Sequence, residues 1–129
     1  GSRRVAAVDF FQGLFTTALE DGEIITEVRI PVPAEGTKTS YQKFSQPASR
    51  FAIVGCAIMK KADGKINIAF TGVGEVPFRD SAAESAASIE AAVTAAAEGI
   101  TVMSDHFASE EYRKHLAKVY LRKALEAVA

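Results

Sequence analysis

The apolar residues of this chain change period once, near Gly74, and that switch limits what the chain can fold into. Before Gly74, short apolar runs are separated by turn residues; after it, apolar positions recur at helical spacing. The clearest local signal is a hairpin, with Ala52–Lys61 and Lys65–Thr71 flanking Asp63-Gly64, a pair suited to the positive φ angles of a tight turn. The first arm is apolar on both faces, which places it inside a sheet. The second alternates Ile66, Ile68 and Phe70 with Asn67, Ala69 and Thr71, as a strand covered on one side does. Thr39–Phe44 predicts another strand. Glu23–Ile30 is β-branched and largely alternating and predicts a further one, stopped by Pro31 and Pro33.

The second half predicts helices. Ser81 and Glu84 form a capping-box pair ahead of an alanine-rich run to Glu98, which is either one helix or two with a break. Ser109-Glu110-Glu111 opens a last helix with a cap and first-turn acids. Its apolar side carries Tyr112, Leu116, Tyr120 and Ala124, and Arg113, Lys114, Lys118, Arg122 and Lys123 are read as its solvated remainder. Strands followed by helices predict an α+β fold, an antiparallel sheet of three to four strands with helices packed on one face. The stretch 31–38, with two prolines and a glycine, is the natural boundary between structural units.

Composition narrows the function. At 129 residues, 48% hydrophobic and 24% charged, the chain can bury one ordinary core. A formal charge of −1 argues against a nucleic-acid partner, which requires a basic face. No apolar run reaches the roughly 18 residues of a membrane span, and no export leader opens the sequence. The lone Cys56, in an apolar run, reads as a small buried hydrophobe, and a cytoplasmic location follows. His106 and His115 do not share a helix turn and complete no metal set; no serine sits in a nucleophile elbow. Thr71-Gly72-Val73-Gly74 lacks the third glycine of a dinucleotide fingerprint and reads as a strand end or bulge. No catalytic residue and no metal ligand is expected.

A set of ordered motifs remains: Asp9-Phe10-Phe11-Gln12-Gly13-Leu14-Phe15-Thr16-Thr17-Ala18-Leu19, Glu23–Pro31, Tyr41-Gln42-Lys43-Phe44, and Ala48–Gly55. Thr71–Gly74, Pro77 with Arg79, Ser104-Asp105 and the helix with Tyr112-Arg113 and Arg122–Leu125 continue it. Together they resemble the FAD-binding medium subunit of the carbon monoxide dehydrogenase and xanthine dehydrogenase family, the molybdenum hydroxylases. The resemblance covers nearly the whole chain. It implies a C-terminal fragment without the glycine-rich loops that hold the FAD pyrophosphate: residues 1–33 as the tail of the FAD-binding domain, and 34–129 as the flavoprotein C-terminal domain.

The resemblance also implies roles. Leu19 matches an aliphatic residue that leans on the isoalloxazine ring, and Tyr41 a residue that shields the flavin from the C-terminal domain side. Lys43 would place a cation near a reduced flavin. On residue chemistry alone, Leu19 equally suits a core and Tyr41 a strand aromatic, while Lys43 better suits a solvated face. Thr16 and Thr17 can offer hydroxyls to a cofactor or to the local backbone. Ala48-Ser49-Arg50 departs from the acidic loop of xanthine-type members and leans toward the carbon monoxide or aldehyde-oxidising branch. The implied setting is an oxidoreductase complex, a dimer of heterotrimers, with FAD in the complete subunit. Its molybdenum cofactor lies in a large subunit and its iron–sulfur clusters in a small one. The isolated fragment is expected to be inactive and to bind FAD weakly or not at all. A scaffold that docks the partner subunits is the alternative.

Overall fold

A computed structural model describes residues 1–129. The architecture is α+β, with a four-stranded antiparallel sheet in the order β3-β4-β5-β6. These strands are β3 (Lys38–Ser45), β4 (Ala52–Lys60), β5 (Ile66–Thr71) and β6 (Phe78–Arg79). A short helix α1 (Ala7–Phe10) and a small hairpin of β1 (Phe11–Gly13) and β2 (Thr16–Thr17) precede them. Helices α2 (Ser81–Glu84), α3 (Ile89–Ala95) and α4 (Glu110–Ala127) follow. No helix is long and apolar enough to cross a membrane.

The apolar β4 lies inside the sheet, as its composition requires. Its register pairs Cys56 with Gln42 and Phe70, and Ile58 with Ser40 and Ile68, so Val54, Cys56, Ile58, Ile68 and Phe70 share one face. That face packs on Leu116, Ala117, Leu121, Ala124 and Leu125 of α4 and forms a single core. The turn before β5 differs from a two-residue hairpin. Only Gly64 has a positive φ, at 84°, and Lys61 bonds Lys65 across a three-residue loop. A right-handed turn closed by one left-handed glycine gives a strand twist that suits three residues as well as two.

Two sequence expectations fail at Glu23–Ile30 and Ser81. Glu23–Ile30 forms no strand and joins no sheet, leaving Ile24, Ile25, Val28 and Ile30 exposed. A strand is defined by its partner, and the chain offers this one none. The α2 cap is Asp80, whose Oδ1 accepts the Ala83 amide at 3.0 Å, not Ser81. Glu84 turns away from a reciprocal cap, because the β5 edge leaves the Ile68 amide bare; its Oε1 accepts that amide at 2.8 Å, and Arg79 as well. The alanine-rich run resolves into the two helices α2 and α3. Asp80 Oδ2 also accepts the Ala97 amide at 2.8 Å, holding Ala97 in a left-handed turn.

Arg113 is the largest correction. Expected on the wet face of α4, it is 1% exposed. It lies one turn before Leu116 and Ala117, on the buried stripe of the helix. Its Nη1 donates to the carbonyls of Ile53 and Gly72, each at 2.6 Å, and Nη2 donates to Asp105 Oδ2 at 2.7 Å. Gly72 has φ +76°, and a Cβ there would collide with the Ile53 carbonyl. Of the strand end or bulge expected at Thr71–Gly74, the structure has the strand end: β5 stops at Thr71, and the left-handed Gly72 brings two carbonyls to one guanidinium.

Partial burial opposes ionisation of Asp105, but hydrogen bonds from Arg113 and the Ala108 and Phe107 amides outweigh it and hold its carboxyl below the usual carboxylate range. A carboxyl lowered in the folded state stabilises above its unfolded pKa, and that stability fades as pH falls through the folded value. Asp105→Asn should therefore flatten the acid limb of stability below about pH 5, read from urea midpoints against pH. Arg113→Met strips one buried and one part-buried carbonyl, and an exposed carboxylate, of their donor. It should cost about 2–4 kcal/mol in equilibrium unfolding.

Candidate functional site

The helices cover one face of the sheet; the other face carries the residues of interest. Tyr41 pairs with Ala57, Lys43 with Gly55, and Gly55 with Thr71, so Tyr41, Lys43, Gly55, Ala57, Ala69 and Thr71 lie on this second face. Tyr41 is 55% exposed at the middle of β3, and Ala57 beside it is also exposed. The neighbours of Tyr41 on this face are small, Gly55, Ala57 and Ala69 among them.

Lys43 is exposed and occupied: its Nζ donates to the Arg50 carbonyl at 3.1 Å. That bond closes the loop between β3 and β4, where Arg50 has φ +60° and Gln46 Oε1 accepts the Ser49 amide at 2.6 Å. Leu19 follows the β1–β2 hairpin and is partly exposed. The nearby hydroxyls serve the local backbone: Thr17 Oγ1 accepts the Leu19 amide, and Thr16 donates to the Leu14 carbonyl. Leu19 and Tyr41 therefore stand on separate parts of the chain. Tyr41 and Lys43 share a face through strand alternation alone.

A concavity of about 310 Å³ lies on the helix side between β5, α2 and α3, away from Tyr41. No group of three or more His, Cys, Asp or Glu side chains gathers in a ligand set. Both histidines are exposed. Cys56 is fully buried, and burial pushes its thiol up to about 12, with the Asp80 carboxylate adding to the effect. It is inert in the fold. A thiol-reactive dye at about pH 8 should label Cys56 orders of magnitude faster in denaturant than in buffer, the native rate following global opening.

The residue that reading side-chain chemistry missed is Gly55, which is buried although it lies on the uncovered face. A glycine inside an otherwise apolar strand is the signal that marks such a position.

Residues 39–128 match the family model of the CO dehydrogenase flavoprotein C-terminal domain, and the chain belongs to that family. The glyceraldehyde dehydrogenase medium chain of Sulfolobus acidocaldarius is 34% identical, over 100% of this chain and 50% of that one. The carbon monoxide dehydrogenase medium chain of Afipia carboxidovorans is 35% identical, over 98% of this chain and 48% of its own length. A solved structure of reconstituted CO dehydrogenase from Oligotropha carboxidovorans superposes with a TM-score of 0.88 at 31% identity, covering 99% of this chain and 49% of that one. The chain spans about half the length of the medium chains it matches.

Proposed function

We propose that this chain forms one wall of the flavin pocket in the FAD-binding medium subunit of a molybdenum hydroxylase-type oxidoreductase. The observation that carries this reading is the bare sheet face with Tyr41 half exposed among Gly55, Ala57 and Ala69. A planar ring system needs a flat apolar wall with few, well-placed polar groups, and this face has that chemistry. When bound, FAD supplies the redox chemistry, and the protein supplies position and environment. Tyr41 would lay an aromatic ring against the flavin and keep water from that side. Leu19 would close another side with aliphatic surface, raising no charge against a reduced ring. Lys43, held by the Arg50 carbonyl, would shape the loop at the rim and bring a cation to it.

On this reading the chain provides no acid, base or nucleophile. Residues 1–33 belong with the FAD-binding domain and 34–129 form the C-terminal domain. Three observations support the division: no residue before Ile53 is buried, the family match starts at residue 39, and Pro31, Pro33 and Gly36 lie between. Arg3 ties the first part to itself through a bidentate bond to Glu23, at 2.7 and 2.6 Å. The parent complex would add a molybdenum-binding large subunit and an iron–sulfur small subunit, in a cytoplasmic dimer of heterotrimers. Electrons would then travel from molybdenum through the iron–sulfur centres to FAD. The scaffold reading draws on the exposed apolar run Ile24, Ile25, Val28, Ile30 and Val32, a strand-like edge that a further polypeptide segment would cover.

Substituting Leu19 and Tyr41 with Ala in the complete subunit separates the readings. Changed flavin reduction kinetics with intact assembly supports the pocket wall; lost assembly with unchanged flavin supports the scaffold. The 129-residue chain by itself should bind FAD weakly or not at all in a fluorescence titration. Tight stoichiometric binding would overturn the one-wall reading.

A further inference from the structure

Gly55 has no conformational reason to be glycine. It lies in the middle of β4 without a positive φ, and a glycine there weakens a strand. The reason is space. A Cβ at residue 55 would fall 2.5 Å from Tyr41 Oη, 3.1 Å from Tyr41 Cε2 and 2.9 Å from Thr71 Cγ2, where ordinary contact begins at 3.4 Å. Tyr41 is the diagonal cross-strand neighbour of Gly55, whereas Thr71 is its direct partner on β5. The phenol therefore reaches across from β3 and lies down over the glycine. That contact explains how Gly55 is buried on a face that no helix covers. The same side chain remains 55% exposed, so it meets the sheet on one side and stays open on the other.

We propose that Gly55, flanked by Thr71, is a seat that sets the height and tilt of the Tyr41 ring, which makes Gly55 a positioning residue for the flavin-facing aromatic. The inference rests on the reading that Tyr41 faces the flavin. A methyl group at residue 55 meets two side chains inside contact distance, the Tyr41 phenol at 2.5 Å and the short, β-branched Thr71 at 2.9 Å, and of the two the long phenol has the more room to move. The ring must lift, and displacements of about 1 Å at a cofactor wall are large on the scale that governs reactivity.

The test uses the complete flavin-carrying subunit in five forms: unsubstituted, Gly55→Ala, Tyr41→Leu, the double variant of these two, and Gly55→Ala combined with Tyr41→Phe. Two quantities are read, the thermal midpoint and the visible absorption and reduction rate of bound FAD. Gly55→Ala should lower the midpoint by at least about 3 °C, and by less than half as much when Tyr41→Leu has already removed the phenol. The FAD absorption band should move in Gly55→Ala in the same direction as in Tyr41→Leu. Tyr41→Phe, which deletes only Oη, should partly restore both readouts in the Gly55→Ala background. Additive midpoints would overturn the seat. Coupled midpoints with a flavin that responds to Tyr41→Leu but not to Gly55→Ala would overturn the positioning role and leave the pocket-wall reading standing. Coupled midpoints with a flavin silent to both variants would remove the pocket-wall reading and the positioning role with it.

Discussion

One guanidinium joins the two halves of this fold. Arg113 reaches from α4 to the Ile53 carbonyl at the start of β4, the Gly72 carbonyl just past β5, and the Asp105 carboxylate in the loop before α4. A charge that is 1% exposed is tolerable only with near-complete hydrogen bonding, and three of its contacts are short. The left-handed Gly72 is part of the same arrangement, because only there can the chain turn so that its carbonyl and that of Ile53 face one donor. The guanidinium Nε is buried and has no hydrogen-bond partner.

The sheet's two faces divide the work. Apolar contact with α4 is made entirely on the side of Val54, Cys56 and Ile58, and Arg113 pins the strand ends on which the other side also depends. A stiff backbone at Ile53 and Gly72 places Gly55 and Thr71, two residues and one residue away, in a fixed relation to Tyr41. The second buried polar residue, Asp80, performs the equivalent service at the far edge, capping α2 and holding the turn at Ala97. Both are cases where local backbone groups, not side chains of opposite charge alone, satisfy a buried ion.

Much of this could be read before any coordinates. The hairpin around Gly64, the interior position of β4, the Ser109 cap and the burial of Cys56 all follow from local composition, because each is decided within a few residues of the chain. The motif order also pointed to the family that residues 39–128 match. What failed shares a cause. Glu23–Ile30 has strand chemistry but no partner, Ser81 lost its cap to the neighbouring Asp80, and Arg113 was assigned to solvent because its partners lie 8 to 60 residues away. The helical stripe that includes Leu116 and Ala117 passes through residue 113, so position, more than residue type, held the missed information.

The sequence by itself determined the three long strands and the last helix, the α+β order, the family and the presence of Tyr41 on a strand, since periodicity and turn chemistry are local properties. It also carried the glycine at residue 55, without a reason for it. Only the tertiary structure decided that this glycine lies beneath the Tyr41 ring, because that contact exists only once β3 is registered against β4. The same holds for Arg113: its charge suits water, and only the convergence of two strand ends and a loop on one turn of helix supplies enough acceptors to bury it.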